Sequence, residues 1–204
     1  MTDVSTAYEE SGRTQQKQRT RRELVAAARA LIAEGGSAPT VEAAAAAASV
    51  SRTTAYRYFR SQRELLAAAH PELELASMLT PEAGDDPEAR LLAVVGAFID
   101  MILDTEQQQR TMLRLSLEPA TTPDQLPLRK GRAIGWFEEA LAPAGAQLTE
   151  AGVTRLAVAV RSAVGIESLV WLLDVAGLGR AEAREVMLTS ARALVRDALS
   201  ERAP

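Results

Sequence analysis

The amino-acid sequence predicts an all-α fold, with an N-terminal three-helix helix-turn-helix domain and a larger C-terminal helical domain, about nine helices in all. Three observations point there. Apolar residues recur at helical spacing, as in Leu91, Leu92, Val95, Phe98, Ile99 and Ile102, and no stretch alternates as a half-buried strand would. Proline and glycine gather at a few joints, Pro81 to Pro87, Pro119 to Pro127, Pro143 to Gly145 and Gly177 to Gly179, and cut the chain into helix-length pieces. Capping residues stand at the heads of several pieces.

Residues 1–17 are polar and lack an apolar centre, so they read as a disordered polar and basic arm rather than a secretory signal. Residues 18–66 form the first domain. Its opening helix is RTRRELVAAARALIAEGG, Arg19 to Gly36. Pro39 keeps the incoming chain out of an earlier helix. Thr40 then serves as N-cap, accepting from the backbone N–H of Ala43. Ala43 to Ala48 is a run of strong helix formers whose small side chains allow close helix approach. Ser49-Val50-Ser51 breaks the run, and Ser51 caps a short helix from Arg52. Tyr56 and Phe59 lie three apart and share a face, with Phe59 turned to the core. Ser61 with Glu64 makes a capping-box pattern for the next helix.

Residues 67–204 form the second domain. The helix from Ser61 runs to about Met78 with a kink at Pro71. Pro87 to Thr105 follows, capped by Asp86 with proline in its first turn. Glu106 to Glu118, Leu128 to Leu141, Thr149 to Ala176 and Arg180 to Arg202 complete the chain.

The chemistry concentrates on the short helix after Ser51. Arg52, Thr53, Thr54, Tyr56, Arg57 and Tyr58 suit phosphate oxygens and base edges, not a buried core. Two short helices and a tight turn, with such a second helix, are the layout in which that helix enters the DNA major groove. Arg52, Thr53, Thr54 and Tyr56 are candidates for bases or thymine methyls. Thr40, Arg57, Tyr58, Arg60 and Arg63 are candidates for phosphates, and Ser51 heads the set. Charge agrees: residues 11–70 carry ten Lys or Arg against four acids, although the whole chain has a net charge of −4. The competing reading is a solvated helix face within an ordinary helical bundle.

The stretch TVEAAAAAASVS, RTTAYRYF, SQRELLAAA, preceded by the opening helix, resembles the DNA-binding domain of the TetR family of bacterial transcriptional regulators. Tyr56, Tyr58 and Phe59 with Glu64-Leu65-Leu66 are its most specific parts. Two positions depart from the family pattern. Ser49 stands where a glycine is usual, in a turn that favours positive φ, which implies strain or rearrangement. Gln62 stands where a lysine is usual, which removes a phosphate contact that Arg60 and Arg63 could replace. The resemblance implies a homodimer on a palindromic double-stranded DNA operator. It also implies a pocket in the second domain for a small hydrophobic effector that shifts the protein away from DNA, and so a repressor in the cytoplasm. The alternatives are an activator, or a regulator answering to a protein partner.

Candidate pocket residues are Phe98, Met101, Ile102, Met112, Leu115, Trp136, Phe137 and Trp171. Large side chains from four helices of one domain fill a core poorly, which predicts an apolar cavity of roughly a few hundred Å³. Ordinary core packing is the competing role for each of them. Arg114, Glu118, Glu167 and Asp174 interrupt apolar helices and could orient a ligand or simply face solvent. For the dimer interface, Leu156, Val160 and Val164 on one long helix and Leu194 and Leu199 on the last form a stripe for a four-helix contact. A helix hairpin closing a monomer's own core is the other possibility.

Other functions find little support. There is no cysteine, so disulfides and thiolate chemistry are excluded. The single histidine, His70, precedes a proline and reads as a solvated helix end; it offers no triad base or metal cluster. Asp85 and Asp86 are adjacent in a loop and point apart. No glycine-rich phosphate loop occurs. No catalytic residue, metal site or cofactor is expected, and no apolar run was expected to reach the length of a membrane span.

Overall fold

The computed structural model describes residues 4–34, 38–70, 75–117 and 131–200, with side chains from residue 14 onward. All its regular elements are helical, and the described residues contain no strand. The chain divides into two compact units, Met1–Pro71 and Glu72–Pro204.

The first unit holds α1 (Val4–Ala33), α2 (Val41–Ala47), α3 (Arg52–Tyr58) and α4 (Gln62–Ala69). Helix α1 packs on α2 and α4, and α2 packs on α3. Leu24, Ala28, Val41, Ala44, Ala55, Phe59, Leu65 and Leu66 build the core. Three alanines there let the helices meet closely. The three predicted caps form as read: Thr40, Ser51 and Ser61 accept from the N–H groups of Ala43, Thr54 and Glu64. Glu64 reaches back to the N–H of Arg60, one residue before the position of a standard capping box.

Two helices of this unit differ from their expected spans. Helix α1 begins at Val4, so helix stands where a disordered arm was expected. No side chain from 14 to 19 is buried. Local terms therefore carry this part: the helix-favouring Gln15, Gln16, Lys17 and Gln18, and an exposed Arg19–Glu23 pair one turn apart. Helix α4 ends at Ala69 instead of running to about Met78. His70 has extended backbone (φ −70°, ψ 130°), as a residue before proline prefers. Residues 75–79 are not helical, and the expected kink at Pro71 lies outside the described residues. His70 is buried, not solvated.

The second unit holds α5 (Pro87–Asp104), α6 (Glu106–Ser116), α7 (Arg132–Ala140), α8 (Glu150–Ala163), α9 (Ile166–Val170) and α10 (Arg180–Ser200). A 3₁₀ turn, Ala142–Ala146, precedes α8, and a π turn, Trp171–Val175, extends α9. The cap of α5 is Asp86, which accepts from Ala89 at 3.0 Å. The expected start of a helix at Leu128 lies outside the described residues.

Helix α10 packs on α5 and α8, and α7 packs between α5 and α8. Phe98, Phe137, Ile99, Leu141, Val160, Leu169 and Met187 lie at the centre. Phe98 meets Phe137 and Trp136 edge-on, with ring centroids 5.6 and 6.3 Å away. Arginines fasten the frame. Arg184 binds Asp100 with two hydrogen bonds (2.6 and 3.0 Å), Arg196 binds Glu88 (2.7 Å), and Arg90 donates to the Ala140 carbonyl (3.0 Å).

The expected single helix from Thr149 to Ala176 is divided. Val164 and Gly165 are extended between α8 and α9, at one of the segment's two glycines, which are poor helix formers; the other, Gly152, lies in the first turn of α8. By length and composition, Glu150–Val175 is apolar enough to cross a membrane, with a mean hydropathy of 1.7, which corrects the expectation that no run would qualify. Many of its apolar side chains serve the unit's own core: Leu156, Val160, Val164, Ile166, Leu169 and Leu172 are all buried there.

Candidate nucleic-acid interface

Helix α3 owes its orientation to two buried side chains. Ala55 is fully buried and Phe59 nearly so, which turns the remaining positions outward. Ser51, Arg52, Thr53, Tyr56 and Arg57 are exposed, as are Thr40 and Arg60; Thr54, Tyr58 and Arg63 are half-buried. The fold thus brings the sequence-predicted set onto the outer face of α3 and the adjoining helix starts. Arg21 lies over the Phe59 ring, 5.2 Å from its centroid, and joins α1 to the end of α3.

Several of these side chains have internal roles. The Ser51 hydroxyl caps α3 and also donates to Thr54 Oγ1 (2.8 Å). Gln62, where a phosphate-binding lysine was expected in the resembling family, donates through Nε2 to the carbonyls of Ala38 (2.6 Å) and Pro39 (3.2 Å). It fastens α4 to the segment entering α2. Arg29 performs a similar task, donating to the Ala69 carbonyl at the end of α4 (2.9 Å). Ser49 has φ 54°, so the turn keeps the positive φ and forces a serine into it.

One residue of this surface escaped the sequence reading. Glu42 Oε1 accepts from the Tyr56 hydroxyl at 2.7 Å and lies 3.0 Å from an Arg52 guanidinium nitrogen. Arg52 in turn sits over the Tyr56 ring, 5.7 Å from its centroid. The Tyr56 hydrogen bond, Glu42's own backbone N–H and Arg52 hold this carboxyl below the usual range. The same bond raises the Tyr56 phenol. Arg52 and Tyr56 are one turn apart on α3, but position 42 has no periodic relation to them, and only the α2–α3 turn brings Glu42 to the pair.

The second unit rearranges its predicted residues. Phe98, Ile102, Trp136 and Phe137 meet in the core, and Met101 packs against it. Met112 and Leu115 are buried on α6. Trp171 does not join them: it is 57 % exposed. Trp136 Nε1 donates to the Ala76 carbonyl at 3.1 Å. Of the charges noted above, Asp174 forms a bidentate pair with Arg110 (2.6 and 2.8 Å), and Glu167 pairs with Arg161 (3.1 Å). Glu106 binds both Arg110 and Arg180, linking α6 to α10. Glu118 lies outside the described residues.

The expected interface stripe needs correction. Leu156, Val160 and Val164 are buried in their own unit's core, and Leu194 and Leu199 pack against it. These helices carry apolar residues on more than one face, and the core took the stripe that the sequence made most regular. The exposed large apolar residues of α8, the π turn and α10 are Val158, Trp171, Val175 and Val186. Beside Trp171 and Val186 lies an open groove of about 380 Å³, with Ala163, Glu167, Leu172 and Ser190 also in its walls.

A small helical unit that presents an exposed basic and hydroxylic helix behind a tight turn is a helix-turn-helix DNA-binding domain. Residues 24–69, from α1 to the end of α4, match the bacterial regulatory proteins of the tetR family. The fold is similar to that of a tetR-family transcriptional regulator from Streptomyces coelicolor. That similarity has a TM-score of 0.63 at 19% sequence identity, over 90% of this chain and 83% of that one. No curated protein matches the sequence. Residues 24–69 thus carry a tetR-type DNA-binding domain, and the chain as a whole shares the fold of such a regulator.

Proposed function

We propose that the protein is a repressor that binds a palindromic operator as a homodimer and leaves it when a small hydrophobic effector binds. The observation that carries the DNA part is the outward face of α3, where Arg52, Thr53, Tyr56 and Arg57 stand exposed over a base of buried Ala55 and Phe59. Thr53, Thr54, Tyr56 and Arg52 are assigned to bases. Thr40, Ser51, Arg57, Tyr58, Arg60 and Arg63 are assigned to the backbone. A two-fold dimer reading two half-sites requires an operator with the same symmetry. Work on chromosomal DNA places such a protein in the cytoplasm.

The dimer is supported by the exposed Trp171 and Val186 in the wall of the groove, and by the exposed Val175 in the same π turn as Trp171. Exposed apolar patches of this kind mark contact surfaces. The effector is supported by α6. Gln108 is buried there, and its Nε2 has no hydrogen-bond partner among the described residues. A buried donor left unpaired costs about 1–3 kcal/mol, which an acceptor-bearing apolar ligand would recover. Met112 and Leu115 follow at helical spacing and are also buried. Phe98, Trp136 and Phe137 pack edge-on against one another, which favours a second reading, control by a protein partner rather than a small ligand.

Selection of random duplexes by the purified protein tests the DNA part: a two-fold symmetric consensus is expected, and no enrichment would remove it. A panel of hydrophobic compounds, read by thermal shift and operator release, separates the two control readings. Gln108→Leu should stabilise the ligand-free protein and weaken the response to any compound that registers.

A further inference from the structure

We propose that Glu42 is a specificity-determining positioning residue, which ties Arg52 and Tyr56 into one reading unit on α3 and penalises contacts with phosphate alone. The proposal rests on the assignment of α3 to the major groove.

Two long side chains one turn apart on α3 converge on one carboxylate oxygen. Tyr56 donates its hydroxyl to Glu42 Oε1, Arg52 pairs with the same atom, and Arg52 also covers the Tyr56 ring. A flexible arginine and a rotatable phenol are thus held in a joint arrangement before DNA arrives. Holding them removes part of the ordering cost from the binding step, provided the target presents bases that fit the arrangement. On any other sequence Arg52 must leave Glu42 to reach a phosphate.

The carboxylate acts by its own charge as well. Glu42 lies in the first turn of α2, where a carboxylate is favoured by the helix dipole. Its neighbours Thr40 and Arg52 belong to the candidate DNA surface, which places a fixed negative charge beside an approaching phosphate chain. Such a charge weakens sequence-independent binding, which is electrostatic. It weakens specific binding less, where base contacts compensate. Glu42 therefore trades total affinity for discrimination, the pattern of a repulsive element used for selectivity.

The test compares wild type, Glu42→Ala, Glu42→Gln and Tyr56→Phe on two duplexes at fixed salt, the one selected by the wild type and a scrambled one, by fluorescence anisotropy. Glu42→Ala should bind the scrambled duplex several-fold more tightly and lower the specific-to-scrambled ratio by about tenfold, the order of one good base contact. Glu42→Gln keeps an acceptor for Tyr56 without the charge and should recover part of that ratio. Tyr56→Phe should lower the ratio in wild type but add little on top of Glu42→Ala, since both remove one arrangement. An unchanged ratio in a folded Glu42→Ala protein would overturn the proposal, as would an equal loss on both duplexes, which marks a merely structural role. Should Glu42→Ala melt early, Glu42→Gln alone decides by the same ratio. A wild type that does not distinguish the two duplexes would instead remove the major-groove assignment itself.

Discussion

The two units solve the same problem, packing amphipathic helices, by different means. In the first, three short helices are begun by serine and threonine N-caps, and small alanines do much of the packing. Its charged side chains are left on the surface, where Arg52, Arg57 and Arg60 stand exposed. In the second, the three longest helices, of 14 to 21 residues, pack around large side chains, and arginines bridge between helices far apart in sequence, as Arg184 does to Asp100 and Arg110 to Asp174. The first unit leaves most of this charge facing solvent, with Arg29 and Arg21 as its fastenings between helices. The second uses charge as internal fastening and leaves apolar surface outside, at Trp171 and Val175.

The strongest way to break this contrast is to place a charge in each kind of apolar site of the second unit. Val160 has no solvent exposure. Val160→Glu should unfold the unit, since a buried unpaired carboxylate costs several kcal/mol. Val175 is 69 % exposed. Val175→Glu should leave the melting temperature near wild type and shift the sedimenting species from about twice the 21.9 kDa chain mass towards the single chain. A folded Val160→Glu protein, or a Val175→Glu protein that still sediments as a dimer, would redraw the boundary between core and interface.

The reserve of charge on the first unit is tested by removing it. Arg57→Ala should weaken selected and scrambled duplexes alike, by about tenfold at low salt, and flatten the dependence of log K on log salt by about one unit. Its melting temperature should stay at the wild-type value, because Arg57 is exposed. A melting point that fell with affinity would mean that Arg57 holds the fold.

The turn between α2 and α3 allows a finer measurement. Ser49 is the only non-glycine residue with positive φ among the described residues. Ser49→Gly should raise unfolding free energy by about 0.5–1 kcal/mol, partly offset by the greater freedom of glycine in the unfolded chain. Denaturant titration reads it directly, and a loss of stability would show that the serine side chain compensates for its backbone.

The smallest effect concerns acid. Asp174 is held below the ordinary aspartate range by Arg110, and Asp100 by Arg184. The folded unit therefore binds fewer protons than the unfolded chain in acid. The contribution is complete above about pH 4, the ordinary aspartate value, and is lost as pH falls through the depressed folded values. Melting temperature against pH should drop less steeply below that point in an Asp174→Asn, Asp100→Asn double variant than in wild type. Parallel curves would show that these exposed pairs add nothing to stability.

Local chemistry made the first unit legible. The caps at Thr40, Ser51 and Ser61, the Arg52–Tyr58 span and the burial of Phe59 all follow from neighbours within four residues. Asp86 before Pro87 made the head of α5 equally plain. The reading failed where a local signal was outvoted. Polar residues 4–17 looked like a disordered arm, yet nothing in them forbids a helix once α1 is nucleated by its packed end. Thr149 to Ala176 looked like one helix, yet Gly165 let it break.

The helical class, the joints, the caps and the exposed basic and hydroxylic helix α3 were legible in the sequence, because each depends on groups close along the chain. Only the tertiary structure decided which apolar stripe enters the core. Leu156, Val160 and Val164 and the exposed Val158 and Val175 have similar hydrophobicity, and packing alone separates them. It also decided the partners of charge. Glu42 finds Arg52 and Tyr56, and Gln62 finds Ala38, through helix geometry rather than spacing. Directional bonds between distant residues exist only once the backbone has brought their atoms within about 3 Å of each other, and no periodicity in a one-dimensional sequence encodes that distance.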